Sequence, residues 1–282
     1  MVENNRMLTF VSHLVLVLGL LTVALPLWVA FVASTHGQAD LIAGRIPIMP
    51  GAHFMENWGT AVTSGLKRAG GVPVGLMLFN SMVMALGIAV GKIVISIISA
   101  YAIVYFRFPL RMAIFWMIFL TLMLPVEVRI LPTFEVAANL DLLDSYTGLT
   151  VPLIASATAT FLFRQFFLTV PDELTEAARM DGAGPLKFFK DILLPLSWTN
   201  IAALFVILFI YGWNQYLWPL LITTDENYYT IVMGIQRMVT VSDEEPRWGI
   251  VMATAMLAMI PPVLVVIVMQ RLFVKGLVEQ EK

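Results

Sequence analysis

Lys92, Glu127, Arg129, Asn214 and Gln215 carry ionisable or amide side chains in stretches that are otherwise strongly apolar. A charge at the centre of a membrane helix costs roughly 3 kcal/mol even on lenient insertion scales, so such groups face a protein interior or a watery path. The chemistry open to them is recognition. An ammonium at Lys92 and a guanidinium at Arg129 suit an anion such as a phosphate monoester, through charge-assisted hydrogen bonds. Each has a plainer alternative: Lys92 can meet a carbonyl or an acid, or snorkel along its alkyl stem, and Arg129 can pair with Glu135 or another loop acid. Glu127 and Arg129 stand two residues apart and point away from each other on a helix, so no ion pair between them follows. Asn214 and Gln215 either line a cavity or bond between helices. Their neighbours Tyr211, Trp213, Tyr216 and Trp218 fit interface anchors better than a ligand cage.

A second constellation is charged throughout. Glu176 to Pro195 reads EAARMDGAGPLKFFKDILLP, between two long apolar runs. The pattern predicts helix, break, helix. Thr169 and Asp172 have capping-box spacing, Pro171 suits an early helical position, and Asp172 and Glu173 favour a helix start. Gly182 and Gly184 allow the positive φ that ends a helix, Pro185 starts a second helix, and Pro195 stops it. Ala177, Ala178, Gly182 and Ala183 make one end small enough for close approach by another backbone. Phe188, Phe189, Ile192 and Leu193 form an apolar face. Two readings stay open for this segment: docking into a partner's groove, or a surface or packing helix such as one lying on lipid headgroups.

The elements that must position these residues are membrane spans. The chain is 59% hydrophobic and 13% charged, whereas a soluble domain is about half apolar and a quarter charged. Six apolar runs, at about 10–33, 76–105, 112–131, 146–168, 198–222 and 249–273, approach the roughly 20 residues that cross a bilayer. The first is too long for a signal-peptide core and is expected to be a retained span, broken or bent near Pro26. Pro261-Pro262 predicts a bend in the last. The chain is read as one domain, residues 1–282. Ten lysines and arginines fall on the side of the termini and six on the other, which predicts both termini and the charged loop 169–196 in the cytoplasm.

Several chemistries are excluded or disfavoured. The net charge of −2 offers no basic excess for nucleic acid, and there is no cysteine for a thiolate metal site or disulfide. His13, His36 and His53 are the only histidines, no H-E-x-x-H or G-x-S-x-G occurs, and no metal site is expected. GIAVGK, Gly87 to Lys92, imitates a phosphate loop but is one residue short and lacks the hydroxyl after the lysine. A secondary transporter would show an internal repeat and more intramembrane acids.

Glu176-Ala177-Ala178-Arg179-Met180-Asp181-Gly182-Ala183, followed by Phe188-Phe189-x-x-Ile192-x-Leu194-Pro195, resembles the EAA loop of bacterial ATP-binding-cassette importer permeases. Asn80-Ser81, Arg107-Phe108-Pro109, Arg164-Gln165-Phe166, Trp213-Asn214 and Trp218-Pro219 are similar to the maltose-type carbohydrate-uptake branch. The resemblance implies an all-α polytopic membrane protein with six transmembrane helices, the MetI-like importer permease fold, and a cytoplasmic coupling helix. It implies that Glu176, Ala177, Ala178, Asp181, Gly182 and Ala183 engage the ATPase. Other implied partners are a second permease subunit, a homodimeric ABC ATPase, a periplasmic substrate-binding protein and the bacterial inner membrane. No cofactor is expected on this chain; ATP and magnesium would sit on the ATPase. The runs FRFPLR, TLMLPVEVRILPT, SATATFLFRQFF and FIYGWNQYLWPLL are similar to importers of sn-glycerol-3-phosphate. That implies this ester or a glycerophosphodiester as cargo, with a sugar as the alternative.

Overall fold

The structure, a computed structural model, describes residues 6–43, 48–65, 71–121, 124, 126–240 and 245–279; of 6, 126, 127 and 271–279 it describes the backbone only. All regular structure among the described residues is helical. The chain divides into two compact units, Met1–Gly75 with Gly234–Met259, and Leu76–Met233 with Ile260–Lys282.

In the first unit, α1 (Arg6–Ala33) runs without interruption through Pro26. The expected break there does not form; within lipid the backbone has no water to bond with, so the helix is kept around the one lost N–H. Residues 7–27 of α1 are exposed, large apolar side chains included. An apolar surface of that size belongs against lipid or another chain, not water. Beyond α1, two short helices, α2 (Gln38–Ile42) and α3 (Phe54–Thr63), are tied down by polar side chains. Asn57 donates to the carbonyls of Ser34 and His36, both at 2.9 Å. Gln38 donates to the Pro246 carbonyl at 2.7 Å and accepts from the Trp248 N–H at 3.1 Å.

The second unit is organised by α4 (Val74–Tyr105). Asn80 of α4 donates to the carbonyls of Asn227 and Tyr229 and accepts from the Tyr146 hydroxyl at 2.8 Å. Ser81 accepts the Ile231 N–H at 2.8 Å. These bonds satisfy irregular backbone that lipid could not satisfy. Further along, the glycines of the GIAVGK run serve close packing. A Cβ at Gly87 would lie 2.8 Å from the Thr150 side chain, and one at Gly91 would lie 2.6 Å from that of Ile154. This is the small-xxx-small device that brings membrane helices together.

The remaining apolar runs are broken. The third becomes α5 (Arg111–Leu120), ten residues long, and a new helix, α6 (Val126–Asn139), starts at Val126. The fourth becomes α7 (Tyr146–Thr150), a 3₁₀ turn (Val151–Leu153) and α8 (Ala157–Phe167), with a 49° bend. The charged loop holds α9 (Asp172–Met180) and α10 (Pro185–Phe188), continued by a π turn at Phe189–Leu193 and by α11 (Leu194–Leu196). A 69° bend leads into α12 (Trp198–Trp213), which stops before α13 (Leu217–Ile222). α14 (Ile231–Thr240) and α15 (Trp248–Glu279) complete the order, and Pro261-Pro262 lies inside α15 without ending it. Three described helices are long and apolar enough to cross a membrane, or up to five if each bent pair is one span.

Candidate functional site

Two breaks converge on one cavity of about 90 Å³ in the second unit, lined by Lys92, Arg129, Thr133, Tyr211 and Gln215 among others. One break follows the 3₁₀ turn, at residues 154–156, and brings Pro152, Leu153 and Ala155 to the wall. The other separates α12 from α13 at residues 214–216, where Gln215 sits. Broken helices expose backbone groups that only a lined cavity can satisfy, which is why transport sites are built from them.

Each side chain has a local reason for its place. Lys92 is only 7% exposed. It follows Gly91, whose contact with Ile154 draws α4 against the first break. Its ammonium stands 3.8 Å from the centroid of the Tyr211 ring, a cation–π contact strengthened by removal from water. Arg129 and Thr133 are i and i+4 on α6, so they share one face. Gln215 donates to the Tyr211 carbonyl at 3.1 Å, which caps the end of α12. Trp218 closes the floor, its indole N–H bonded to the Gly148 carbonyl at 3.0 Å. No carboxylate among the described residues lines this cavity. Two cations therefore converge on a space that no described acid lines, an arrangement suited to an anionic guest.

The sequence expectations separate here. Lys92, Arg129 and Gln215 come together. Asn214 is exposed and does not line the cavity. The side chain of Glu127 lies outside the described residues. Trp213 and Trp218 are buried rather than displayed as interface anchors, because Trp213 stacks on Phe209 and Trp218 packs beneath the cavity. Tyr211 and Thr133 were missed as site residues. Tyr211 has a signal in retrospect, since it stands four residues before Gln215, within reach of its side chain.

The charged loop forms the second candidate surface. α9 ends as expected at Gly182, with φ of +71°. The Gly182 N–H reaches the Arg179 carbonyl at 3.0 Å and the Ala183 N–H reaches the Ala178 carbonyl at 2.8 Å, the paired bonds of a Schellman turn. Three expectations need correction. The Thr169–Asp172 capping box does not form: Pro171 is the N-cap, and Thr169 donates back to the Phe166 carbonyl at the end of α8. Gly184 has φ of −70°, since it is the extended residue preceding Pro185. Pro195 does not stop the second helix but sits in α11, after the π turn. A widened turn accommodates a residue that has no N–H to donate.

The loop's apolar face packs on its own chain, not on a partner. Phe189 lies 4.9 Å from Tyr101 and Phe188 5.3 Å from Tyr105, ring to ring. The Tyr101 hydroxyl donates to the Pro185 carbonyl at 2.8 Å. Ala178 is buried and Ala183 half-buried, both facing inward. Glu176, Ala177, Asp181 and Gly182 are exposed. So are two large apolar side chains that sequence reasoning passed over, Met180 at 83% and Leu186 at 79%.

Comparison with known proteins agrees with this geometry. Residues 92–279 match the family described as "Binding-protein-dependent transport system inner membrane component". Three relatives bear the name sn-glycerol-3-phosphate transport system permease protein UgpE. Those of Agrobacterium fabrum and Rhizobium meliloti are 60% and 59% identical over 282 residues. That of Pectobacterium atrosepticum is 61% identical over 284 residues. In all three pairs the alignment covers the whole of both chains. Among solved structures, a chain of a bacterial ABC transporter involved in the import of the acidic polysaccharide alginate superposes with a TM-score of 0.79 at 21% identity, over 96% of this chain and 98% of that one; at that identity the likeness establishes the fold. The broken spans, the lined cavity and the Schellman-capped loop are thus those of a permease, and the chain belongs to the binding-protein-dependent transport system inner membrane component family.

Proposed function

We propose that this permease carries sn-glycerol-3-phosphate, or a related glycerophosphodiester, across the inner membrane as one subunit of an ATP-driven importer. The observation that carries the proposal is the cavity where Lys92 and Arg129 meet with no acid among the described residues in its wall. A phosphate supplies the missing negative charge, and Thr133 and Gln215 offer hydrogen bonds to glycerol hydroxyls. The cavity of about 90 Å³ holds roughly half a dozen water-sized groups, enough for a phosphate head and part of a short polyol and too little for a disaccharide. The names of the full-length relatives point to the same cargo.

In this reading six spans cross the membrane, with the short α5 contributing the third, and both termini lie in the cytoplasm. A second permease completes the pathway, a homodimeric ATPase binds ATP and magnesium, and a periplasmic protein delivers cargo to the outer loops. The exposed face of α9 with Leu186 docks on the ATPase, so that closure of the ATPase pair moves the loop and, through Tyr101 and Tyr105, the end of α4. Uptake into proteoliposomes holding the complete transporter and its binding protein tests the cargo. Radiolabelled sn-glycerol-3-phosphate is expected to accumulate with ATP; accumulation of maltose instead would overturn the proposal.

A further inference from the structure

A second cavity, of about 540 Å³, lies beneath the charged loop and is lined by Tyr101, Tyr105, Arg107, Thr175 and Arg179, with Phe106 and Phe188 among its apolar walls. It lies on the opposite side of α9 from the docking face. Thr175, Ala178 and Arg179 follow the i, i+3, i+4 spacing of one helical face, whereas Glu176, Ala177 and Met180 occupy the other. Arg107 belongs to the tight turn after α4, just past the end of the candidate span Val74–Tyr105. Among the described residues no carboxylate lines the cavity and neither arginine forms an ion pair, although the Asp172 carboxylate on α9 is near enough to act on the Tyr105 phenol in its wall. Phe106 and Leu110 of the same turn are exposed apolar side chains. Two unpaired guanidinium groups, phenol and threonine hydroxyls and an apolar rim, at headgroup depth, match a phosphate attached to an acyl-bearing backbone.

We infer that this cavity binds the phosphate headgroup of an anionic phospholipid, held between Arg107 and Arg179, and that the lipid braces the charged loop against the end of α4. The inference uses the cytoplasmic orientation of the loop proposed above and is independent of the cargo. The test is the cargo-stimulated ATPase rate of the complete transporter, delipidated and placed in nanodiscs of phosphatidylcholine with increasing phosphatidylglycerol. The phosphatidylglycerol content giving half-maximal rate is expected to rise about tenfold in the Arg107→Gln/Arg179→Gln double variant. The Arg107→Lys/Arg179→Lys variant, which keeps the charge, is expected to recover most of that shift. Lys190→Gln, which removes an exposed charge of the same loop outside the cavity, is expected to leave it unchanged. An equal shift with Lys190→Gln, or no shift in the double variant while its melting temperature matches the parent's, would overturn the inference. So would full activation by inorganic phosphate in discs of phosphatidylcholine alone, which would assign the site to a soluble anion. Labelling of the loop from the periplasmic side would defeat the orientation on its own, whatever the lipid titration shows.

Discussion

At Lys92 a single side chain combines burial, a ring contact and proximity to a second cation. If it meets the cargo phosphate, Lys92→Met removes a charge-assisted bond and should weaken cargo binding to the assembled transporter by about tenfold or more. Isothermal titration in detergent checks this, and an unchanged affinity rejects the role. Methionine fills most of the lysine stem's volume, so assembly should survive. Asp144 makes a different prediction, in the loop between α6 and α7. Its partial burial pushes the carboxyl upward, but bonds from the Thr224 hydroxyl and the Asp225 and Thr224 N–H groups outweigh that and hold it below the ordinary carboxylate value. A depressed folded value means the stabilisation is full above the unfolded value and lost as pH falls through the folded one. Protection of the Thr224 and Asp225 amides from hydrogen exchange should therefore decline below about pH 4, and Asp144→Asn should flatten that dependence.

Among the elements, the contact between α12 and α4 is set by Gly212. A Cβ there would lie 2.9 Å from the Ala85 Cα, a backbone atom that cannot rotate away. Gly212→Val should destabilise the second unit by about 1–3 kcal/mol, read as a lower melting temperature in detergent. It should also disturb the cavity, because Tyr211 and Gln215 flank that contact. The charged loop behaves otherwise. A Cβ at Gly182 meets nothing within 4 Å, and aspartate tolerates positive φ better than most residues. Gly182→Asp should therefore leave the chain folded, at a cost of about 1 kcal/mol for the positive φ, while placing bulk and charge on the proposed docking face. The expected result is normal expression and a slightly lowered melting temperature with loss of cargo-stimulated ATPase activity; normal coupled transport would reject the docking assignment.

For the whole molecule the testable quantity is orientation. The chain has no cysteine, so single substitutions report without background. Met180→Cys and Leu186→Cys should react with an impermeant maleimide only from the cytoplasmic side, and Asn227→Cys only from the periplasmic side. The reverse pattern would invert the proposed topology, and with it the docking of α9 on a cytoplasmic ATPase. The exposed apolar surface of α1 adds a consequence for handling: the isolated chain should aggregate unless detergent or lipid covers it.

What the amino-acid sequence determined by itself was a part of what local chemistry carries: composition, the turn at Gly182 and the anomaly of Lys92, but not the cap at Thr169, the φ of Gly184 or the helix end at Pro195. Apolar runs of bilayer length made the chain polytopic, because burial in lipid depends on composition and length alone. The turn at Gly182 was legible because a Schellman cap needs a residue free of Cβ strain within a few positions of the helix end. Lys92 stood out because an ionisable group in an apolar run is anomalous wherever it points. What only the tertiary structure decided was direction and company. Periodicity in a uniformly apolar span says little about which face meets protein, so the convergence of Lys92, Arg129, Tyr211 and Gln215, and the exclusion of Asn214, required the two breaks to be brought together. The same holds for Phe188 and Phe189, an apolar face whose cover the sequence left open and which packs on Tyr101 and Tyr105. An apolar face must be covered, but the sequence around it does not name the cover; that is settled by which surface the rest of the chain places within reach.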